Sequence, residues 1–177
     1  TDPDNGGSTY ETVKIELLQD YLIPSTDQPN VPSGKNFTFT TAVQGKTEGL
    51  LCYKPTDPEE TNPRAQISRD QGNTRSFITV SAGGTGTSLT IETLRFDGKQ
   101  MGAGDGGILN AKACEATIRN CEVKNFQASN GGAVYVGAQS SGDPSTLRIY
   151  NSYFDNCTST GTSRKGGGAV WTTARTF

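Results

Sequence analysis

The side chains able to do chemistry in this chain are carboxylates and thiols, because its 177 residues include no histidine. That removes the usual general base, the Ser-His-Asp arrangement and the common zinc sites in one step. The carboxylates of the second half are Glu92, Asp97, Asp105, Glu115, Glu122, Asp143 and Asp155. Asp97 and Asp155 recur at the same place in a repeat, two units apart, with Lys124 between them. Two carboxylates can hydrolyse a glycosidic bond when both face one cleft at separations up to about 9.5 Å. Two strand spacings put these about 10 Å apart, so outward, salt-bridged turn residues are the expectation. Asp2, Asp4 and Asn5 lack the closing glutamate and the spacing of a calcium loop and read as a solvated turn. The glycine-rich run Gly102–Gly107 has neither the lysine nor the helix of a phosphate loop and is expected to form close turns. No catalytic, cofactor-binding or metal-binding residue is nominated.

The elements that would have to position these residues are repeats. A short phrase recurs as GGILN at Gly106–Asn110, GGAVYV at Gly131–Val136 and GGAVW at Gly167–Trp171. Each copy follows an apolar run, at Ser88–Gly98, Ala116–Asn125 and Leu147–Asn156. Ile91, Ile118 and Ile149 coincide at spacings of 27 and 31 residues. Aligning them also aligns Phe96 with Val123 and Phe154, and Thr93 with Asn120 and Asn151. Gly98, Asn125 and Asn156 coincide too, and a bend is expected there because glycine and asparagine most readily take a left-handed backbone. Leu89 and Ile91, Ala116 and Ile118, and Leu147 and Ile149 stand two apart, which gives one apolar face of a strand. Two short strands per unit, with length variation confined to loops, point to a solenoid.

The first half fits the same scheme. Val13, Ile15 and Leu17 alternate with polar residues and favour a strand over a helix, with Pro24 and Pro29 following. Phe37 and Phe39 share a face within Pro32–Ala42, and Gly49–Pro55 is another apolar run. Thr56–Arg64 reads as an outward loop, and Ala65–Asp70 and Arg75–Gly84 as two further strands. Residues 1–11 form a flexible lead-in, and 12–177 a single repeat domain of roughly five to six coils, about 25–30 Å tall. The chain starts without the apolar core of a signal peptide, as a mature or trimmed product does. The stack is expected to continue, or to be capped by another chain, beyond Phe177.

Composition narrows the function classes. Apolar residues are 32%, charged residues 19% and the net charge is −2, with 22 glycines. A thin, turn-rich β-solenoid accounts for this balance, whereas a highly charged disordered segment does not. The slightly acidic balance without a basic patch argues against nucleic acid, and no apolar stretch of about 18 residues offers a membrane span. The four cysteines, Cys52, Cys114, Cys121 and Cys157, would suggest disulfides in a secreted chain. The repeat register instead stacks Cys157 on Phe126, five residues past Cys121, so buried thiols are expected. Tyr135 and Trp171 stand at the same offset after their glycine pairs and are expected to face inward. Facing outward, they would make a stacking platform for sugars or a partner surface. Asn36-Phe37-Thr38 and Asn156-Cys157-Thr158 match the glycosylation sequon.

Taken together, the glycine phrase in register with NSYFDNC (Asn151–Cys157) resembles the repeat of the polymorphic outer-membrane proteins and of related right-handed parallel β-helices on bacterial surfaces. Thr12–Ser25, Val31–Ala42 and Arg75–Gln100 resemble the entry strands of such domains and their transition into the first repeat. That family pairs its glycine phrase with F-x-x-N, for which the nearest counterpart here is Phe154-Asp155-Asn156. The resemblance implies an all-β, right-handed parallel β-helix of the pectin-lyase-like kind. It also implies extracellular surface display, with adhesion or structural spacing rather than a reaction. Partners would be a host or neighbouring-cell surface ligand, captured on the loops at 98–106, 137–146 and 157–166, or other copies of the chain. A self-assembling fibre is the alternative, in which Thr12–Leu22 pairs with the strand edge near Val170 of a neighbour. A polysaccharide lyase or hydrolase is the second alternative.

Overall fold

Every described strand of this chain pairs in parallel, residue against residue, with the strand one pass earlier or later in sequence. The computed structural model describes residues 12–42, 64–70, 72, 74–80, 86–99, 102–137, 145–162, 166–173 and 175–176. Among them are strands and turns and no helix. The first pass comprises β1 (Thr12–Leu17) and β2 (Tyr21–Ile23), and the second β3 (Asn36–Thr41), β4 (Gln66–Arg69) and β5 (Ile78–Val80). The third has β6 (Ser88–Glu92), β7 (Arg95–Asp97), β8 (Gly102–Asp105) and β9 (Leu109–Lys112). The fourth has β10 (Glu115–Arg119), β11 (Glu122–Lys124), β12 (Gln127–Asn130) and β13 (Val134–Gly137). The fifth has β14 (Thr146–Tyr150), β15 (Tyr153–Asp155), β16 (Thr158–Ser159) and β17 (Val170–Thr172), and β18 (Arg175–Thr176) opens a sixth.

These strands form four parallel sheets. A six-stranded sheet runs β1-β3-β6-β10-β14-β18 and a five-stranded sheet runs β15-β11-β7-β4-β2. A four-stranded sheet runs β17-β13-β9-β5 and a three-stranded sheet β16-β12-β8. The chain visits them in one repeating order, which is why a side chain's parity in one strand sets a column through all the others. Ile15, Phe39, Ile91, Ile118 and Ile149 are in register along the six-stranded sheet. Tyr21, Ile67, Phe96, Val123 and Phe154 do the same along the five-stranded sheet. Ile91 and Ile118, each flanked on both sides, are fully buried, and burying one such side chain contributes about 1.5–3 kcal/mol. The register inferred from sequence therefore holds, as does the strand at Val13, Ile15 and Leu17.

Three expectations are corrected. The apolar run of each unit is two strands, because Thr93, Asn120 and Asn151 have φ of 55°, 54° and 44° and break it. Gly102–Asp105 is strand β8 rather than a series of turns, and β12 and β16 pair alongside it. Small polar residues carry no apolar alternation, so these strands left no periodic trace. The bend expected at Gly98 falls at Lys99, with φ 49°, whereas Asn125 and Asn156 bend as expected at 59° and 48°. Gly98 is required for a different reason: a Cβ there would lie 2.7 Å from a ring carbon of Phe126.

The doubled glycine also has a steric cause. Gly106 and Gly131 adopt φ of 57° and 55°, in the region open to glycine. The second glycine meets the next pass of chain: a Cβ on Gly132 would sit 2.6 Å from Gly168 O and 2.6 Å from Thr158 N. Backbone bonds cross at that point, with Gly107 N–H donating to Gly132 O at 3.1 Å and Ala133 N–H to Ala169 O at 2.8 Å. The polar lead-in, the Gly49–Pro55 run with Cys52, nearly all of the Thr56–Arg64 loop, and Asp143 lie outside the described residues.

Candidate functional site

Among the described residues, the carboxylates picked out by type do not converge. Asp97 and Asp155 flank Lys124 in register on the five-stranded sheet, as the repeat required. Among the described residues, neither forms the expected salt bridge. Lys124 pairs with Glu122 on its own strand, two residues away on the same face. Asp97 Oδ1 instead accepts from Asn125 Nδ2 at 3.1 Å and from Lys99 N–H at 3.0 Å. Asn125 Oδ1 accepts in turn from Asn156 Nδ2 at 2.9 Å, so the turn column is an amide ladder. Asp105 Oδ1 likewise accepts from Asn130 Nδ2 at 2.6 Å. Among the described residues, no three His, Cys, Asp or Glu side chains gather closely enough to hold a metal.

Tyr135 and Trp171 are in register and stack, with ring centroids 4.5 Å apart and planes 11° apart. Their expected inward orientation is not observed. Val134 and Val136, on either side of Tyr135, belong to the hydrophobic core cluster, and Tyr135 lies on the opposite parity with Asn110 and Thr79. Tyr135 is still only 7% exposed. Burial, and then the charge of Asp105, push its phenol above its usual pKa.

The thiols behave as inert core atoms. Cys114 and Cys121 are free and buried, and Cys157 is free and half-buried. Burial pushes the Cys114 and Cys121 thiols up to about 12, with the Glu115 charge adding to the effect at Cys114. Thr158 N–H donates to Phe126 O at 2.8 Å, which places Cys157 beside Phe126 as the register required.

A cleft of about 280 Å³ lies on the six-stranded sheet and the turn that leaves it, lined by Lys14, Glu16, Thr40, Thr41, Glu92, Thr93, Arg119 and Asn120. Glu16, Thr40, Glu92 and Arg119 occupy one outward column, because they alternate with the inward Ile15, Phe39, Ile91 and Ile118. Arg119 pairs with Glu92, and Lys14 Nζ lies 2.6 Å from Glu16 Oε1. The hydrogen bond to Glu16 and that carboxylate's charge raise the Lys14 pKa. The floor is the left-handed turn: Thr41 Oγ1 donates to Thr93 O at 2.5 Å and accepts from Ala65 N–H at 2.8 Å. A second cavity, of about 240 Å³, is lined only by apolar and aromatic side chains, among them Ile15, Tyr21, Phe39 and Phe77. It opens at the first pass, where Ile15, Leu18, Tyr21 and Leu22 are exposed.

Sequence reading passed over Arg69, which lies in the core. Its guanidinium carbon is 5.0 Å from the Phe77 ring centroid and 5.7 Å from that of Phe126, and Nη2 donates to Gly107 O at 3.1 Å. Burial lowers its pKa to about 10, which leaves it cationic at neutral pH. The signal was present in the strand: Ala65, Ile67 and Arg69 are two apart, so Arg69 had to point with Ile67.

No protein-family model, no curated protein and no solved structure matches this chain.

Proposed function

We propose that this chain is a right-handed parallel β-helix displayed outside the cell, serving adhesion or acting as a structural stalk without catalysing a reaction. The observation that carries the reading is the unbroken register of the six-stranded sheet, with Ile15, Phe39, Ile91, Ile118 and Ile149 in one column. Such a stack is rigid along its axis and leaves outward columns free to vary, which suits presentation of a binding surface. Asp97 and Asp105 are tied into side-chain hydrogen bonds with Asn125 and Asn130, and Glu92 into an ion pair with Arg119. Microspheres coated with the folded chain are expected to attach to host or neighbouring cells more strongly than microspheres coated with an unfolded Ile118→Asp chain. Equal attachment sinks the adhesive reading. Cleavage of polygalacturonate with calcium, lost on changing Asp97 or Asp155, would replace it with the lyase or hydrolase reading.

A fibre is the second reading, favoured by the first pass. Strand β1 lies at the edge of its sheet among the described residues, beside exposed Ile15, Leu18, Tyr21 and Leu22. Unpaired edges with apolar neighbours invite strand addition. Sedimentation that grows with concentration, and that Leu18→Lys together with Leu22→Lys abolishes, supports it. A concentration-independent monomer removes it.

A further inference from the structure

We propose that the cleft lined by Glu16, Thr40, Glu92, Thr93, Arg119 and Asn120 binds a compact, neutral, polyhydroxylated ligand the size of one hexose unit. Thr40 and Asn120 are the decisive residues. Thr40 is only 6% exposed, lines the cleft from an outward strand position, and its hydroxyl makes no hydrogen bond to any described residue. That hydroxyl is open to the cleft, where a ligand group able to bond it takes the place of water, and Asn120 Oδ1 in the same lining is buried without a hydrogen-bond partner.

The lining selects the ligand class. Its charges cancel in pairs, Lys14 with Glu16 and Arg119 with Glu92, so an incoming ion meets no net opposite charge. The same pairs set acceptor oxygens next to donor nitrogens around the Thr40 hydroxyl. Groups that donate and accept at once suit that array, and hydroxyls do both. At about 280 Å³ the cleft is at the small end of ligand sites, which limits the ligand to a single ring. Thr93 adds an independent indication. Among the described residues, it is the only β-branched one of the seven non-glycine residues with positive φ, and it forms part of the cleft floor. Strain of this kind gathers at ligand clamps.

The site gives the adhesive reading a ligand class and rests on that reading only for its purpose. The test is a titration of the folded chain with glucose, galactose, mannose and glucuronate, followed by amide NMR shifts. Saturable shifts centred on Thr40, Thr93 and Asn120 are expected with at least one neutral hexose, and weaker ones with glucuronate. Thr40→Val, which keeps shape and strand preference, is expected to weaken binding at least tenfold at an unchanged melting temperature. Asn151→Gly alters the same turn column outside the cleft and is expected to leave binding intact. Glu92→Gln frees the Arg119 charge and is expected to turn preference toward glucuronate; this variant decides the matter if Thr40→Val fails to fold. No saturable shift with any neutral hexose, undiminished binding in Thr40→Val, or glucuronate favoured by the parent chain overturns the proposal. Loss of cell attachment with hexose binding retained removes the adhesive reading alone.

Discussion

Replacing Thr93 by asparagine is expected to stabilise the chain. Thr93 sits at φ 55°, and the residues at the same turn of the next two passes, Asn120 and Asn151, sit at 54° and 44°. A left-handed backbone costs an L-residue about 1–2 kcal/mol, and asparagine visits it most easily because its short amide bonds locally. A branched Cβ makes threonine one of the poorest occupants of that region. The backbone there is held from outside the side chain. Thr41 Oγ1 donates to Thr93 O at 2.5 Å, and Thr93 N–H donates to Arg119 O at 3.1 Å. Neither bond uses the threonine hydroxyl, so both survive the change.

The expected gain is about 1 kcal/mol, the strain relieved when threonine gives way to a residue suited to the turn. For a chain of this size that raises the melting temperature by about 2–4 °C. Thr93→Gly is expected to gain less, because glycine loses about 0.5–1 kcal/mol more conformational entropy on folding. Asn120→Thr is the reverse experiment and is expected to lower the melting temperature by a similar amount. Thermal and urea melts of the parent chain and the three variants, followed by circular dichroism, measure all four. A Thr93→Asn chain that melts at or below the parent, beside an unchanged Asn120→Thr chain, refutes strain as the explanation of this turn.

Other substitutions test the columns and the thiols. Ile118→Val is expected to cost about 0.5–1.5 kcal/mol and Ile118→Ala about 2–5 kcal/mol, read from urea melts; equal, small losses would mean that the column is not packed. Gly132→Ala, whose Cβ meets backbone of the next pass, is expected to cost about 1–3 kcal/mol. Gly104→Ala, with open space around it, is expected to stay within about 0.5 kcal/mol of the parent, so equal melts would contradict the steric account of the glycine pair. Because the Cys114 and Cys121 thiols are raised to about 12, these two are expected to resist thiol reagents at pH 8 in the folded chain until denaturant is added, as site-resolved labelling read by mass spectrometry would show. The same shift sets the sign of an alkaline effect. The unfolded thiols lose their protons near pH 8.5–9 while the folded ones keep theirs to about 12, so stability is full below that window and falls within it. The fall is about 1.4 kcal/mol per pH unit for each thiol, and Cys114→Ala with Cys121→Ala flattens the profile.

What could be read from sequence was whatever two facing residues forced. The Ile91, Ile118 and Ile149 column was legible because large apolar side chains must alternate to reach a shared core. The glycine pairs were legible because close backbone approach tolerates no Cβ. The turn at Thr93 was aligned but not recognised as a bend, since threonine does not signal a left-handed backbone and only its two asparagine counterparts did. Strand β8 was hidden by its composition: Gly102, Ala103 and Gly104 carry no alternation, and only the ladder to β12 and the Asp105–Asn130 bond define it. The cleft at Thr40 was not legible either. Glu16, Thr40, Glu92 and Arg119 are neighbours only once the register of β1, β3, β6 and β10 is known, and β1 and β3 carry no copy of the glycine phrase to fix it.

The placement of Arg69 shows what column logic adds to residue type. By type an arginine belongs on the surface, and taking a guanidinium out of water into a core costs several kcal/mol. By parity it had to follow Ile67 inward, and the geometry there supplies part of what water would have supplied, although Nε is buried without a hydrogen bond. The Phe77 and Phe126 rings lie near its cationic plane, Phe77 meets Phe126 edge-on at 5.2 Å and 74°, and Gly107 O takes one N–H. A cation over an aromatic face is worth about 2 kcal/mol or more when desolvated, and two faces with one carbonyl offset much of the burial cost. The carbonyl belongs to a glycine pair, and a Cβ on that glycine would press on the Phe126 ring, one of the two rings that hold the cation. Gly107 thus serves the turn, the ring and the arginine at once. Arg69→Lys keeps the charge but loses the planar face that matches two rings, and is therefore expected to destabilise the chain more than Arg69→Met, which gives up the charge and keeps the stem. Matching melts for the two variants would mean that packing of the stem, and not the guanidinium, holds this part of the core.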